Sequence, residues 1–259
     1  MENGTNTTGR LILGVVLLAG LTALSLLNHY FAGQQQQEWD RQLTAALNHA
    51  KGLVSAGLDE RSQTVESLAA FMASTAEFPS REVFDRYAAS SLARHPAMRA
   101  LQYADADCII RYVYPLAGNE AALNLDLQTR PAAPFVRQTM ADRMTTISDP
   151  TRSVQGPQIV VIRTPIIRDD QVIGIAQGVI ELVPLLSEVA QAISPGFTMA
   201  MDDRGGQRYW QSGALTGKSL TVPIGRWNLV VAWPTGHPNA GNSEIWLLWL
   251  MGIPLLLAL

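Results

Sequence analysis

The sequence predicts an α+β domain, an antiparallel sheet with helices outside it, held between two membrane spans. Apolar runs at 11–27 and 245–259 bracket more than two hundred residues of mixed polarity. The first run leads into a proline-free stretch with apolar residues at steps of three and four, and hairpin signals fill the remainder. A helix through seventeen residues rises about 26 Å, close to the ~30 Å hydrocarbon core that a span must cross.

Asn28, His29, Tyr30 and Phe31 follow the first run in place of a small-residue cleavage site, and the helical pattern continues beyond them. This favours a signal anchor over a cleaved signal peptide. Tyr30, Phe31 and Trp39 after the first run, and Trp246 and Trp249 in the second, suit the same membrane interface. The second run holds no charge when it reaches Leu259, the pattern of a span that continues. The expected organisation is a cytoplasmic tail (1–10), a first transmembrane helix (11–31), a long helix (32–78), a folded domain (79–241) and a second transmembrane helix (from 244). That places the chain in the inner (cytoplasmic) membrane with its domain in the periplasm.

The net charge is −3 with both signs interspersed, so no basic field for nucleic acid is present. Cys108 is the only cysteine, which excludes an internal disulfide and a cysteine-based zinc site. His29, His49, His95 and His237 are scattered, none beside a metal-spaced set of acidic residues. No phosphate-binding loop and no nucleophile paired with a base stands out, so neither catalysis nor a cofactor is expected.

Along 34–72, Leu43, Leu47, Ala50, Val54, Leu58, Val65, Leu68 and Met72 form a seam close to a heptad, interrupted by Arg61. Such a seam packs either on its own domain or on a second copy in a parallel homodimer. Pro79 ends this helix, and Ser80 with Glu82 starts another that runs to His95-Pro96. Strands are then predicted at 98–104 and 108–115, and a short one at 122–127. A helix is predicted at 131–144. The clearest hairpin pairs 158–168 with 171–180 around Asp169-Asp170. After a helix at 183–192 come strand pairs 197–202 with 207–211 and 219–223 with 227–233. Pro234, Gly236, Pro238 and Gly241 read as a linker to the second span.

Several motifs now stand in order: Phe84 to Tyr87, His95-Pro96, Ala100-Leu101-Gln102-Tyr103, Tyr114-Pro115, Gly118-Asn119-Glu120 with Leu125-Asp126-Leu127, and Arg163-Thr164-Pro165 with Gly174 and Gly178. Over about 80–190 the chain resembles the CHASE family of extracytoplasmic sensory domains. The resemblance implies a PAS-like antiparallel sheet with a long N-terminal helix, flanked by two transmembrane helices. It also implies a small-molecule sensor above a cytoplasmic output, a diguanylate cyclase first and a histidine kinase next. Asn124 departs from a glycine common in bacterial members. Arg163 departs from the small hydroxyl residue of plant cytokinin receptors, which argues against a cytokinin ligand.

Five residues are candidates for ligand binding. Asp126 occupies the place of the family's ligand-facing aspartate; it is equally placed to cap a turn near Arg130-Pro131. Arg163, set opposite Ala176 by a two-residue turn and on a face with Val161 and Gly178, offers a fork to a carboxylate ligand or to Asp126. Tyr112 and Tyr114 share a strand face, as a pocket wall or as core. Ile147 resembles an apolar pocket position of the family. The expected ligand is anionic or zwitterionic and the expected assembly a homodimer. Recognition of a protein partner, or a spacing role, is the alternative.

Overall fold

The computed structural model describes residues 4–75, 77–152, 158–193 and 196–233. No proline precedes Pro79, and one helix, α1 (Gly4–Ser74), runs through 71 residues. Its N-terminal part has a window of mean hydropathy 1.6, none of it buried by the fold, long and apolar enough to cross a membrane. The second apolar run, 244–259, lies outside the described residues. The seam from Leu43 to Met72 is buried throughout, against sheets of the same chain. Arg61 is buried with it, and its Nη1 donates to the carbonyl of Gly57 one turn back at 2.8 Å. Of the two fates open to the seam, packing on its own domain is the one this structure displays.

Helix α1 ends under a cation. Arg168 donates from Nη2 to the Met72 carbonyl at 2.9 Å and from Nε to that of Ala73 at 3.2 Å. These are last-turn acceptors that have no partner within the helix. Ser80 holds the N-cap position of α2 (Arg81–Leu92), but its hydroxyl donates to Glu82 at 2.8 Å and does not cap the backbone.

Among the described residues ten strands follow, in two sheets. The first contains β1 (Met98–Asp105), β2 (Ile110–Tyr114), β3 (Thr146–Ile147), β4 (Thr151–Arg152), β5 (Gln158–Arg168) and β6 (Gln171–Glu181). Its order is β2-β1-β6-β5-β3, antiparallel, with β4 also pairing β5. The second, β7 (Thr198–Asp203), β8 (Arg208–Gln211), β9 (Ser219–Ile224) and β10 (Trp227–Ala232), is ordered β8-β7-β10-β9. The predicted α+β class is the observed one, with a long N-terminal helix and antiparallel sheets. The C-terminal hairpins, however, pair with each other and build a sheet of their own. Helix α4 (Leu182–Ala192) joins the two sheets and lies on α1. Trp39 and Trp233 meet with ring centroids 5.5 Å apart, tying the end of the second sheet to the lower part of α1.

One face of the first sheet carries Leu101, Tyr103, Ile162 and Ile180 toward α1, where Val65, Leu68 and Met72 close the core. The other face carries Ala100, Ala104, Val113, Val161, Ile175 and Val179 toward the segment 116–142. Gly178 sits on the α1 side, paired with Ile162. A Cβ there would stand 2.5 Å from Val65 Cγ2, so the missing side chain is what lets the helix approach.

His95, 6 % exposed, fixes the α2–β1 junction to α1. Its Nε2 lies 2.9 Å from Thr64 Oγ1 and its Nδ1 3.6 Å from a Glu60 carboxylate oxygen. Burial pushes its pKa below 6.5, more strongly than Glu60 raises it. The unfolded chain therefore takes up a proton at a pH where the folded imidazole is still neutral. His95 contributes stability that is complete above about pH 6.5 and is lost as pH falls through the depressed folded value. Unfolding midpoints measured between about pH 7 and 5 should fall less in His95→Gln than in the parent.

Candidate functional site

The segment between β2 and α3 (Ala133–Asp142) folds back over the open face of the first sheet. No strand forms at 122–127. Two short 3-10 turns, Glu120–Ala122 and Leu127–Thr129, stand there, and the stretch between them docks by main-chain bonds along Cys108 and Ile110. Asn124 makes this possible with φ +61°, a left-handed conformation that asparagine tolerates as glycine does. Asparagine thus supplies here the backbone geometry that a glycine would.

Arg99 anchors the start of this cover. It donates from Nε to Asn119 Oδ1 (2.8 Å), from Nη1 to Glu181 (2.7 Å) and from Nη2 to the Gly118 carbonyl (2.8 Å). Asn119 is buried and donates to the Pro115 carbonyl at 2.9 Å, and Glu120 accepts from the Gly118 amide at 3.0 Å. The Gly-Asn-Glu motif is therefore a roof support.

Between cover and sheet lies a cavity of about 210 Å3. Ile110, Leu125, Leu127, Val161 and Val179 make an apolar wall. Its polar floor is Gln102, Arg163 and Gln177, three neighbours across β1, β6 and β5. Arg163 is 3 % exposed and Gln177 1 % exposed. The only hydrogen bond of the Arg163 guanidinium among the described residues runs from Nε to Gln177 Oε1 at 3.0 Å. Because arginine only donates, this bond sets the Gln177 amide with its oxygen toward Arg163 and its nitrogen away. Arg163 Nη1 and Gln177 Nε2 are both buried without a partner among the described residues. Burial lowers the Arg163 pKa to about 10, so the group stays charged at neutral pH.

A β-bulge creates this pairing. Arg168 faces Gln171 and Ile167 faces Val172, but Ile166 faces Gly174, so Ile173 is the extra residue. The regular turn register sets Arg163 against Ala176; the bulge shifts it to Gln177 and leaves Ala176 opposite Thr164. Gly178 consequently lies on the face opposite to Arg163, not beside it.

Of the five residues singled out in the sequence, Arg163 lines this cavity and the others do not. Asp126 begins the second 3-10 turn and accepts from the Gln128 amide at 2.8 Å; no ion pair joins it to Arg163. Its neighbours Leu125 and Leu127 are the ones that reach the cavity. Tyr112 and Tyr114 do share a face, but it is the α1 side. Tyr112 packs with Tyr103, Phe84 and Phe78 at centroid distances of 5.5, 5.4 and 6.4 Å. Ile147 pairs with Ile162 and lines a different cavity, of about 410 Å3, between α1, α3 and the β9–β10 turn. Sequence reasoning missed Gln177 as a site residue, although a lone amide between Ala176 and Gly178 in an apolar strand is a signal of the right kind.

No family model and no curated protein matches the chain. Solved structures do share its fold. An extracellular ligand binding receptor from Desulfohalobium retbaense aligns with TM-score 0.60 and 10 % identity over 73 % of this chain and 39 % of that one, so the chain spans about two-fifths of that receptor's length. The sensory domain of the Campylobacter jejuni chemoreceptor Tlp3 aligns with TM-score 0.60 and 11 % identity, covering 80 % of this chain and 97 % of that one. The ligand binding domain of the Pseudomonas aeruginosa PAO1 amino acid chemoreceptor PctB, in complex with L-Arg, gives 0.57 and 12 % over 82 % and 100 %. The chain has the fold of extracellular ligand-binding sensory domains of chemoreceptors and histidine kinases.

Proposed function

We propose that this chain is the periplasmic sensory part of a membrane signal transducer, and that its ligand is a small anionic or zwitterionic molecule held against Arg163. One observation carries the reading: a charged guanidinium, 3 % exposed, borders a cavity and has no anionic partner among the described residues. A buried charge without a counter-charge is costly, and such groups belong at sites where the counter-charge arrives with a ligand. The complexes of Tlp3 with L-valine and of PctB with L-Arg support a small carboxylate-bearing ligand in this fold. The CHASE-like motifs suggest a sensor of that type, with a second span at 244–259. Its cytoplasmic output is a diguanylate cyclase or, next, a histidine kinase.

Occupancy shifts an equilibrium only through a difference in affinity between two states. Helix α1 touches both sheets and carries the apolar window, which makes it the element to transmit that shift, in a homodimer, across the membrane. The test is thermal unfolding of the full chain in lipid nanodiscs against carboxylates, amino acids, purines and polyamines. A ligand at a hundred times its Kd should add about 2.7 kcal/mol. The reading stands if an anion or zwitterion raises the midpoint and Arg163→Met removes the rise. Stabilisation by polyamines alone, or stabilisation that survives Arg163→Met, overturns it.

A further inference from the structure

The cavity's donors and acceptors are unequal. Among the described residues Arg163 Nη1 and Gln177 Nε2 are buried donors lacking acceptors, and Arg130 stands exposed at the rim. Among the described residues no aspartate or glutamate lines the cavity, and residues 153–157, which join β4 to β5, contain none. Of the carboxylates beside it, Glu181 is bound to Arg99 at 2.7 Å and Asp126, between Leu125 and Leu127, accepts from the Gln128 amide at 2.8 Å. The Asn119 amide is spent on Arg99 and on the Pro115 carbonyl. Gln102 offers at most one amide oxygen, a dipole and not a charge.

An α-amino acid brings an ammonium together with its carboxylate. Burying that ammonium without a carboxylate partner costs more than the added contacts return. The remaining wall is aliphatic, from Ile110, Leu125, Leu127, Val161 and Val179, with the hydroxyl of the exposed Thr151 at the rim. A volume of about 210 Å3 holds roughly seven waters at ~30 Å3 each, and so a ligand with about as many heavy atoms.

From this imbalance we infer that the ligand is a short aliphatic monocarboxylate without an ammonium group, its two oxygens bound by the Nη edge of Arg163 and by Gln177 Nε2, its hydrocarbon body against the Ile110–Val161 wall. This rests on the reading that the Arg163 cavity is the sensory site, and it narrows that reading to one ligand class. Gln177 then acts as a specificity residue, because its amide is oriented by the very arginine that binds the carboxylate.

Three compounds with one carbon skeleton separate the possibilities: 3-methylbutanoate, L-valine and 3-methylbutanamide. Each is titrated into the full chain in nanodiscs and followed by thermal unfolding and calorimetry, with acetate to hexanoate as a length series. The expected result is a raised midpoint with 3-methylbutanoate or a near homologue, binding of L-valine weaker by roughly tenfold or more, and none of the amide. Gln177→Met should weaken the carboxylate by about tenfold while circular dichroism shows an unchanged fold. L-valine binding as tightly as the carboxylate, but lost in Arg163→Met, overturns the inference and leaves the sensory site in place. Binding that persists in Arg163→Met overturns both. No response to any member of the length series, in folded protein, overturns the inference as well.

Discussion

Arg163→Met is expected to raise the unfolding midpoint of the ligand-free protein while abolishing its response to carboxylates. The guanidinium is held in a site whose burial lowers its pKa to about 10, which corresponds to roughly 3 kcal/mol against the charged form. Methionine extends about as far as the arginine Nε, covers the apolar stem's contacts beside Val161 and needs no counter-charge. Replacing buried ionic groups with apolar ones of like size is often stabilising. Gln177 Oε1 loses its donor in the variant, which offsets part of the gain. A net stabilisation of about 1–3 kcal/mol remains, or roughly 2–4 °C for each kcal/mol in a domain of this size. The sign is diagnostic. A residue that merely held the sheet together would lower the midpoint when removed; a residue waiting for an anion raises it and removes the ligand effect together. Thermal melts of both proteins, with and without ligand, give the answer, and a lowered midpoint in the variant would refute the assignment.

Gly174→Ala should have the largest cost of any single-methyl addition in the first sheet. A Cβ at Gly174 would lie 2.6 Å from the backbone carbonyl oxygen of Ala104 and 2.6 Å from Tyr103 Cε2. The carbonyl belongs to the neighbouring strand, where Gly174 pairs with Asp105, and cannot turn aside as a side chain does. Overpacking against a fixed backbone at a bulge is expected to destabilise by about 2–4 kcal/mol. Gly178→Ala is the useful contrast. Its added methyl would meet Val65 Cγ2 at 2.5 Å and Met98 Cε at 2.9 Å, both ends of side chains, so α1 and Met98 yield and the loss is smaller. Urea midpoints at unchanged m-value separate the two variants. Gly174 also sits at the bulge that brings Gln177 across from Arg163, so the surviving folded fraction of Gly174→Ala should bind carboxylate poorly.

The physical separation between readable and unreadable features runs along element boundaries. Helix α1 was legible because its period and the absence of proline are local properties, and so were the β1–β2 and β5–β6 hairpins, whose turns lie between short apolar runs. Asp126 and the 122–127 stretch were not. Alternating leucines around an aspartate read as a strand, yet Asn124 in the left-handed region and the Asp126 cap turn the backbone into 3-10 form. The heptad seam shows the same division: its spacing says that one face of α1 is buried and is silent on whether a sheet or a second helix buries it.

By itself the sequence determined the α+β class, the long helix, the apolar window and an arginine at a strand position where apolar residues prevail. Tertiary structure alone decided which face that arginine occupies with whom. A strand's side chains alternate with period two, so one bulged residue exchanges Ala176 for Gln177 opposite Arg163 and moves Gly178 to the far face. Tyr112 and Tyr114 illustrate the converse: period two correctly put them together, but which side of the sheet faces α1 depends on contacts with Phe78 and Phe84, far away in the chain. Local pattern sets what each segment is; the cavity, its unpaired donors and its missing carboxylate arise only where six segments meet.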